Sequence, residues 1–416
     1  LRMKKEKQEF QQYNLTLQKP YFDDFLQTMT KIFHWSRLVG IAGLETLIWK
    51  LWGFLMLVLL VIIEGEAIWK VIKALAGWAV DTAGHRSVTA RFAGTMFYAS
   101  ALLGLIQCWR LSSAWKEISK YWASVEWVIS IKFIVPDKTI TRRMYRTSII
   151  VAIFEHIMDM VSSFDFNCPP SLCFRKYILK SHGFLILEFE YSDWIAPPVL
   201  FMSIVATIIW NLQDLIIILM SMGLTSRYQR LNRCVEVVTA KNGKEKSWNK
   251  VKFVRVNTWR KIREAYVKQA MLVRRVDSCL GGIVLLSTFF NFYFICLQLF
   301  LGITNGVPGV TLKRVYYGIS LVWLCVRTTC TVLAAADVNK YSKLALPYLH
   351  ECQGQFYNIE IERLQKQLSK DYVALTGMGF FSLNRTVVLQ VMPWIFILYH
   401  IQRGDRGGDG TREPKC

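Results

Sequence analysis

The sequence predicts an all-α, polytopic membrane protein with seven transmembrane helices, a cytosolic N-terminus and helices that extend into a cytosolic anchor bundle. The first observation is composition: 53% of the 416 residues are hydrophobic and 19% are charged, an apolar excess too large for one soluble core. The second is that long apolar stretches alternate with basic segments, as membrane spans alternate with cytoplasmic loops. The third is that apolar residues recur at helical spacing inside the basic segments.

The net charge of +21 would by itself suit a nucleic-acid-binding protein, because Lys and Arg neutralise phosphates. Here the basic residues form blocks between apolar stretches, so we assign them to cytoplasmic loops and expect no nucleic-acid partner. The start of the chain is polar and shows no cleavable signal peptide. Since the first residue is Leu1, we expect that residues are missing upstream.

Seven apolar windows approach the roughly 20 residues that a helix needs to cross a bilayer. The fifth is the clearest, because no charged residue occurs between Ser278 and Leu312. The third is the weakest, because it contains Glu155, His156 and Asp159. The windows are 43–63, 92–109, 146–161, 195–222, one span within 278–312, 315–336 and 374–401.

The distribution of Lys and Arg predicts the orientation. With the N-terminus in the cytosol, the inner segments carry about 35 basic residues and the outer segments roughly 12. We therefore predict that the N-terminus is inside and the C-terminus outside. A G-protein-coupled receptor has the opposite orientation, which would place most basic loops on the wrong side.

This topology divides the chain into seven segments. In the third of them apolar residues between Val254 and Val273 form one helical stripe, and the alternating charges of 358–371 in the fifth predict a further helix. The segments are a cytosolic arm at 1–42, helices one to four at 43–222 with a long outer loop at 165–194, a cytosolic anchor segment at 223–277, helices five and six at 278–336, an anchor helix at 337–373, the seventh helix at 374–402 and a polar tail at 403–416.

Motifs for catalysis and metal binding are absent from the sequence. We find no His-Glu-x-x-His, no Gly-x-Ser-x-Gly, no phosphate loop and no zinc-ligand spacing. We therefore expect no catalytic residue, no metal and no cofactor, and the missing internal repeat disfavours a transporter. Cys168 and Cys173 lie in the outer loop, where a disulfide and two free thiols are equally open interpretations.

Short motifs follow one another in a specific order from Asn211 to Arg385. Two are continuous, Asn291-Phe-Tyr-Phe-Ile-Cys-Leu-Gln-Leu-Phe300 and Ala374-Leu-Thr-Gly-Met-Gly-Phe-Phe-Ser-Leu-Asn-Arg385. In order and spacing, these motifs resemble the sugar-receptor branch of insect gustatory receptors. Other matching positions are Asp214, Arg227, Tyr228, Asn232, Trp259, Arg263, Tyr266, Asp277, Arg327, Asn339, Glu360 and Asp371.

The resemblance implies a sugar-gated, non-selective cation channel in the plasma membrane of sensory neurons. It implies a homo- or hetero-tetramer of related subunits, with the pore lined by the seventh helix. Signalling through G proteins, or a role as a non-conducting subunit of a heteromeric taste receptor, are the alternatives. The chain departs from the family at its C-terminus, where only Tyr399 and Gln402 echo the expected motif, out of register.

A sugar offers hydroxyl groups to hydrogen-bond and C–H faces to stack, so its pocket should combine polar side chains with Trp and Tyr. We expect such residues in the outer halves of the middle helices. For Glu155 and Asp159 pairing with Arg327 or Lys50 is the competing role, and Tyr317 also suits an interfacial aromatic belt. The candidate ligand-binding residues are Glu155, His156, Asp159, Asn291, Tyr293, Gln298, Tyr317 and Trp323.

The seventh helix supplies the candidate gate. Gly377 and Gly379 would let it bend where it enters the membrane, and apolar side chains could close the pore by excluding water. The candidate pore residues are Val391, Ile395, Leu398, Tyr399 and Gln402. The residues to which we assign structural or anchoring roles are Asp214, Arg227, Arg327, Asn384 and Arg385.

Overall fold

The structure, a computed structural model, describes residues 24–41, 46–79, 87–129, 170–241, 248–304, 311–352 and 357–386. Within these ranges the regular structure is helical, and the one β contact is an isolated bridge between Thr376 and Ser382. The helices are α1 (Asp24–Ser36), α2 (Leu47–Leu75), α3 (Val88–Ile129), α4 (Pro170–Ser181), α5 (Ala196–Lys241), α6 (Trp248–Thr304), α7 (Thr311–Lys343), α8 (Leu346–His350) and α9 (Ile359–Lys370).

Five of the described helical regions are long and apolar enough to cross a membrane. They cover α2, α3, α5, α6 and α7, which correspond to five of the seven predicted windows. Over the described residues the all-α prediction is confirmed, with five helices suited to a multi-pass membrane protein. The third window, 146–161, lies outside the described residues, so the count of seven helices and the orientation stay predictions.

The membrane helices are longer than a bilayer requires. Helix α6 has 57 residues and is therefore about 85 Å long, against a hydrocarbon core of about 30 Å. The anchor stripe predicted between Val254 and Val273 belongs to this same helix, with Trp259, Ile262, Tyr266 and Val273 buried. Long helices thus continue from the apolar bundle into a second packed region.

The first predicted window ends too early. It stops at Ile63 because Glu64 and Glu66 follow, whereas α2 continues to Leu75. Most of the apolar surface of α2 is exposed, including Leu47, Ile48 and Phe54. An exposed apolar face of that size marks a surface that contacts lipid or another protein.

The sequence analysis assigned the residues of α1 only to the polar cytosolic arm at 1–42. The apolar face of this helix packs on α3 and α5: Phe25 stacks on Trp122 of α3 with ring centroids 4.8 Å apart, and the same ring lies against Gly223 of α5. The Trp115 indole donates a hydrogen bond of 3.1 Å to the hydroxyl of Thr30. The arm therefore ends in a helix that belongs to the core.

The predicted start of the seventh helix is wrong. Residues 374–383 form a hairpin in which the Leu383 amide donates to the Leu375 carbonyl at 2.9 Å and the Gly377 amide donates to the Phe381 carbonyl at 2.9 Å. Gly379 has φ +80, a left-handed conformation that glycine adopts at little cost. The glycines therefore make a turn instead of a bend within a helix, and helical structure begins at Arg385.

Candidate functional site

An ion pair lies inside the bundle between α5 and α7. The Nε atom of Arg327 is 2.8 Å from Oδ2 of Asp214, and the two residues are 6% and 1% exposed. Two charges removed from water are stable only when paired closely and hydrogen-bonded on their remaining polar atoms. The surrounding side chains satisfy that condition.

Helix α6 completes the network. The Asn291 amide nitrogen donates to both Asp214 oxygens at 3.1 and 3.0 Å, and the Ser287 hydroxyl donates to Asp214 Oδ1. The Asn291 oxygen accepts from Arg327 at 3.0 Å. Asp214, Ser287, Asn291 and Arg327 therefore connect three membrane helices, and we call these four residues the central polar network.

Two residues of α5 extend this network. The Trp210 indole donates to the Asn291 oxygen at 3.0 Å, and the Arg327 guanidinium lies 4.4 Å from the centroid of the Trp210 ring, a favourable cation–π distance. Arg327 also donates to the Asn211 oxygen at 2.5 Å. The sequence placed Asp214 and Arg327 among the structural residues, but nothing in it linked them to each other.

Asn291 was predicted to contact ligand. In the structure its amide nitrogen and oxygen are both engaged by protein groups, so its observed contacts join helices. Its ligand contact stays a prediction. The same applies to Tyr293, whose ring makes edge contacts with Phe92 at 5.9 Å and Phe294 at 5.1 Å.

Two of the predicted ligand residues, Gln298 of α6 and Tyr317 of α7, are in contact. The Tyr317 hydroxyl donates to the Gln298 carbonyl at 2.6 Å, and the Gln298 amide donates to the Ser320 hydroxyl at 3.2 Å. Trp323 follows Ser320 by three residues and so shares its helical face. Among the described residues, the buried Gln298 Oε1 and Trp323 Nε1 have no hydrogen-bond partner.

Aromatic rings connect the outer loop to the central polar network. Neighbouring ring centroids lie 5.2 to 6.5 Å apart, within or near the usual range for aromatic pairs. The series ends at Trp210, the residue that stacks with Arg327. In order the rings are Tyr177, His182, Phe184, Tyr98, Phe97 and Trp210.

Sequence reasoning missed two buried charged residues of α2, Glu64 and Lys70. Glu64 is buried, and its Oε2 has no partner within the described part of the chain. Lys70, also buried, forms an ion pair with Glu190 of the outer loop. Burial would raise the pKa of Glu190, but hydrogen bonds from Lys70 and the Leu187 amide, with the charges of Lys70 and Lys73, lower it below its ordinary value. In the sequence these charged residues directly follow an apolar run, a pattern that also marks the end of a membrane span.

Two of the predicted anchoring residues, Arg227 and Arg385, donate hydrogen bonds to other helices. The fully buried Arg227 donates to the Trp122 carbonyl at 3.1 Å, and Arg385 donates to Asp337 at 2.8 Å. Asn384 immediately precedes the first helical residue of the last segment. No group of three or more His, Cys, Asp or Glu residues in the described ranges is arranged to hold a metal ion.

The remaining predicted site residues lie outside the described residues. They are Glu155, His156, Asp159, Val391, Ile395, Leu398, Tyr399, Gln402 and Cys168. Cys173 lies in α4, but its side chain is not described. A disulfide between Cys168 and Cys173 stays a prediction.

These features define a class, that of multi-pass helical membrane proteins with a polar network inside the bundle. Among solved structures, the insect olfactory receptor OR5 from Machilis hrabei matches with a TM-score of 0.61 at 11% identity, over 91% of this chain and 99% of that one. The same receptor in complex with eugenol matches with a TM-score of 0.59 at 10% identity. At this identity the likeness establishes the fold alone.

The sequence establishes the family. Residues 47–401 match the family model described as trehalose receptor, and the chain belongs to this family of insect gustatory receptors for sugars. Gustatory receptor 5a for trehalose of Drosophila melanogaster is 30% identical over 301 residues, 71% of this chain and 65% of that receptor. Gustatory receptor for sugar taste 64a of the same species is 27% identical over 315 residues, 72% and 66% respectively. The matches thus cover just under two thirds of these relatives.

Proposed function

We propose that this chain is a sugar receptor, that trehalose is a ligand, and that ligand binding opens a cation pore in the same protein. The observation that carries the ligand part is the presence of two buried, unsatisfied polar atoms, Gln298 Oε1 on α6 and Trp323 Nε1 on α7. Gln298 Oε1 can only accept a hydrogen bond and Trp323 Nε1 can only donate one. A sugar hydroxyl group can donate and accept, so a sugar offers a partner to each of the two atoms.

Aromatic side chains on the same helices support a sugar in preference to a purely polar ligand. Tyr293 of α6 and Phe92 of α3 are in edge-to-face contact, and Trp323 is an aromatic residue of α7. Sugar C–H faces pack on such rings while the hydroxyls find amide and indole partners. Family membership points to the same ligand class.

A ligand shifts a channel from its closed state to its open state only if it binds the open state more tightly. The central polar network joins α5, α6 and α7, so a ligand that alters the spacing of α6 and α7 strains a set of buried charges. Intramembrane charges are expensive to leave unpaired. The network therefore favours a small number of discrete helix arrangements, as a switch requires.

The test is to express the full chain in cells without other taste receptors and to record current during exposure to trehalose and a panel of other sugars. We expect a sugar-evoked cation current that persists when GDPβS blocks G-protein signalling. A current abolished by GDPβS would favour a receptor that signals indirectly through G proteins. Sugar binding to purified protein without any current would favour a subunit that requires a sister chain.

A further inference from the structure

The hairpin that precedes the last helical segment is attached to α6 through one carboxylate. Asp277 accepts a 2.6 Å hydrogen bond from the Thr376 amide and a 2.8 Å hydrogen bond from the Thr376 hydroxyl. The Thr376 hydroxyl oxygen in turn accepts from the Gly379 amide at 3.1 Å. One acidic side chain therefore orders both ends of the turn.

Backbone contact reinforces this attachment. A Cβ atom on Gly281, one helical turn beyond Asp277, would lie 3.1 Å from the Met378 nitrogen and 3.3 Å from the Thr376 carbonyl oxygen. Both neighbours are backbone atoms, which cannot rotate away as a side chain would. Gly281 thus permits the hairpin to lie directly on α6.

Helix α7 holds the other side of the hairpin. The Asn339 amide donates to the Val373 carbonyl at 2.9 Å, and Arg385 donates to Asp337 at 2.8 Å. The residues that lead into the last helix are consequently fixed to α6 before the turn and to α7 on both sides of it.

The same two helices carry the central polar network. Asn291 lies about four turns, or roughly 20 Å, from Asp277 along α6, and Arg327 lies about 15 Å from Asp337 along α7. Continuous helices transmit displacement over such distances as rigid elements. The hairpin is the point at which movements of both helices reach the last segment.

We propose that Asp277 is a positioning residue for gating, which acts through Thr376 to couple α6 to the last helix. This inference rests on the proposed function. Removing the carboxylate should uncouple sugar binding from pore opening while sugar binding itself is retained, because the ligand site lies elsewhere on α6.

The experiment compares Asp277→Ala and Thr376→Val with wild type, with Thr376→Ser as the conservative variant. Ser278→Ala is the matched control, since Ser278 is exposed on the same turn and its hydroxyl contacts only its own helix, at the Arg275 carbonyl and the Cys279 sulfur. Trehalose affinity is measured on purified full chain, and maximal trehalose-evoked current is measured in cells. We expect maximal current to fall about tenfold in Asp277→Ala and Thr376→Val, with unchanged affinity and surface expression and with recovery in Thr376→Ser. The double variant should be no worse than the single ones.

Hydrogen exchange supplies a readout that does not depend on conduction. In wild type, trehalose should change the exchange of amides C-terminal to Arg385, and Asp277→Ala should abolish that change while exchange at Thr376 accelerates. Trehalose-dependent exchange that persists in Asp277→Ala would overturn the proposal, as would an unchanged maximal current. Absence of current in wild type, with the exchange response intact, would refute the channel and leave the coupling standing.

Discussion

The Asp214 carboxylate and the Arg327 guanidinium lie 2.8 Å apart within segments of α5 and α7 that are apolar enough to cross a membrane. Asp214 lies near the middle of α5, and the residues that follow it, from Leu215 to Met220, are apolar and buried. Neither charge could remain there alone. Their partnership is the strongest constraint on how these helices pack.

Replacing Asp214 by Asn should destabilise the protein by about 3–5 kcal/mol, because the Arg327 charge is left buried without its counter-ion. Thermal unfolding of purified protein in detergent measures the loss. Asp214→Leu combined with Arg327→Met removes both charges and should recover most of the stability. If Asp214→Asn unfolded at the same temperature as wild type, the pair would contribute nothing.

The variants Gln298→Leu and Trp323→Phe should each raise the trehalose concentration that gives half-maximal current by about tenfold, the effect of one lost hydrogen bond. Trp323→Phe keeps an aromatic ring and removes the N–H group. Trp194→Phe, at an 89% exposed position, is the control and should leave the concentration dependence unchanged. Identical curves for all three variants would remove this site from consideration.

Replacing Glu64 by Leu should stabilise the sugar-free protein by about 1–3 kcal/mol, because a buried carboxylate oxygen without a hydrogen-bond partner is unfavourable. Glu66 is exposed on the same helix, and Glu66→Leu should change stability by no more than about 0.5 kcal/mol. Unfolding midpoints in detergent compare the two. Destabilisation by Glu64→Leu would instead mean that the carboxylate holds a bound water or ligand.

The anchor helix α9 should lose its attachment to α6 in acid. The hydrogen bond from Arg263 lies at 2.7 Å and, together with Arg363, holds the pKa of Glu360 below its ordinary value of 4.5. A lowered pKa in the folded state means that the stabilisation is complete above about pH 4.5 and disappears as the pH falls through the folded value. Proteolysis or exchange of α9 as a function of pH measures this, and Glu360→Gln should lack the dependence. An equal acid response in Glu360→Gln would assign it to other groups.

The sequence predicted the helices well where their apolar runs are long. Five windows coincide with five helices, and the charge pattern of 358–371 matches α9 at Ile359–Lys370. Ends of helices were harder to predict. Glu64 looked like the boundary of a span because a lone carboxylate is unfavourable in lipid, yet α2 buries that side chain against protein.

The hairpin at 374–383 shows a second limit. Its glycines are visible in the sequence, but a glycine permits both a bend within a helix and a left-handed turn. The contacts of Asp277 and Gly281, almost a hundred residues earlier in the chain, select the turn. Local preference alone could not distinguish the two.

By itself, the sequence determined the membrane-embedded, helical class and the receptor family. The lengths of apolar runs and the order of motifs can both be read directly along the chain. Only the tertiary structure decided which polar residues are partners. Asp214, Asn291 and Arg327 come from three helices, and Asp277 meets Thr376 across a large separation in sequence. In a membrane the need to pair every buried polar group is certain, but the identity of each partner follows from how the helices pack.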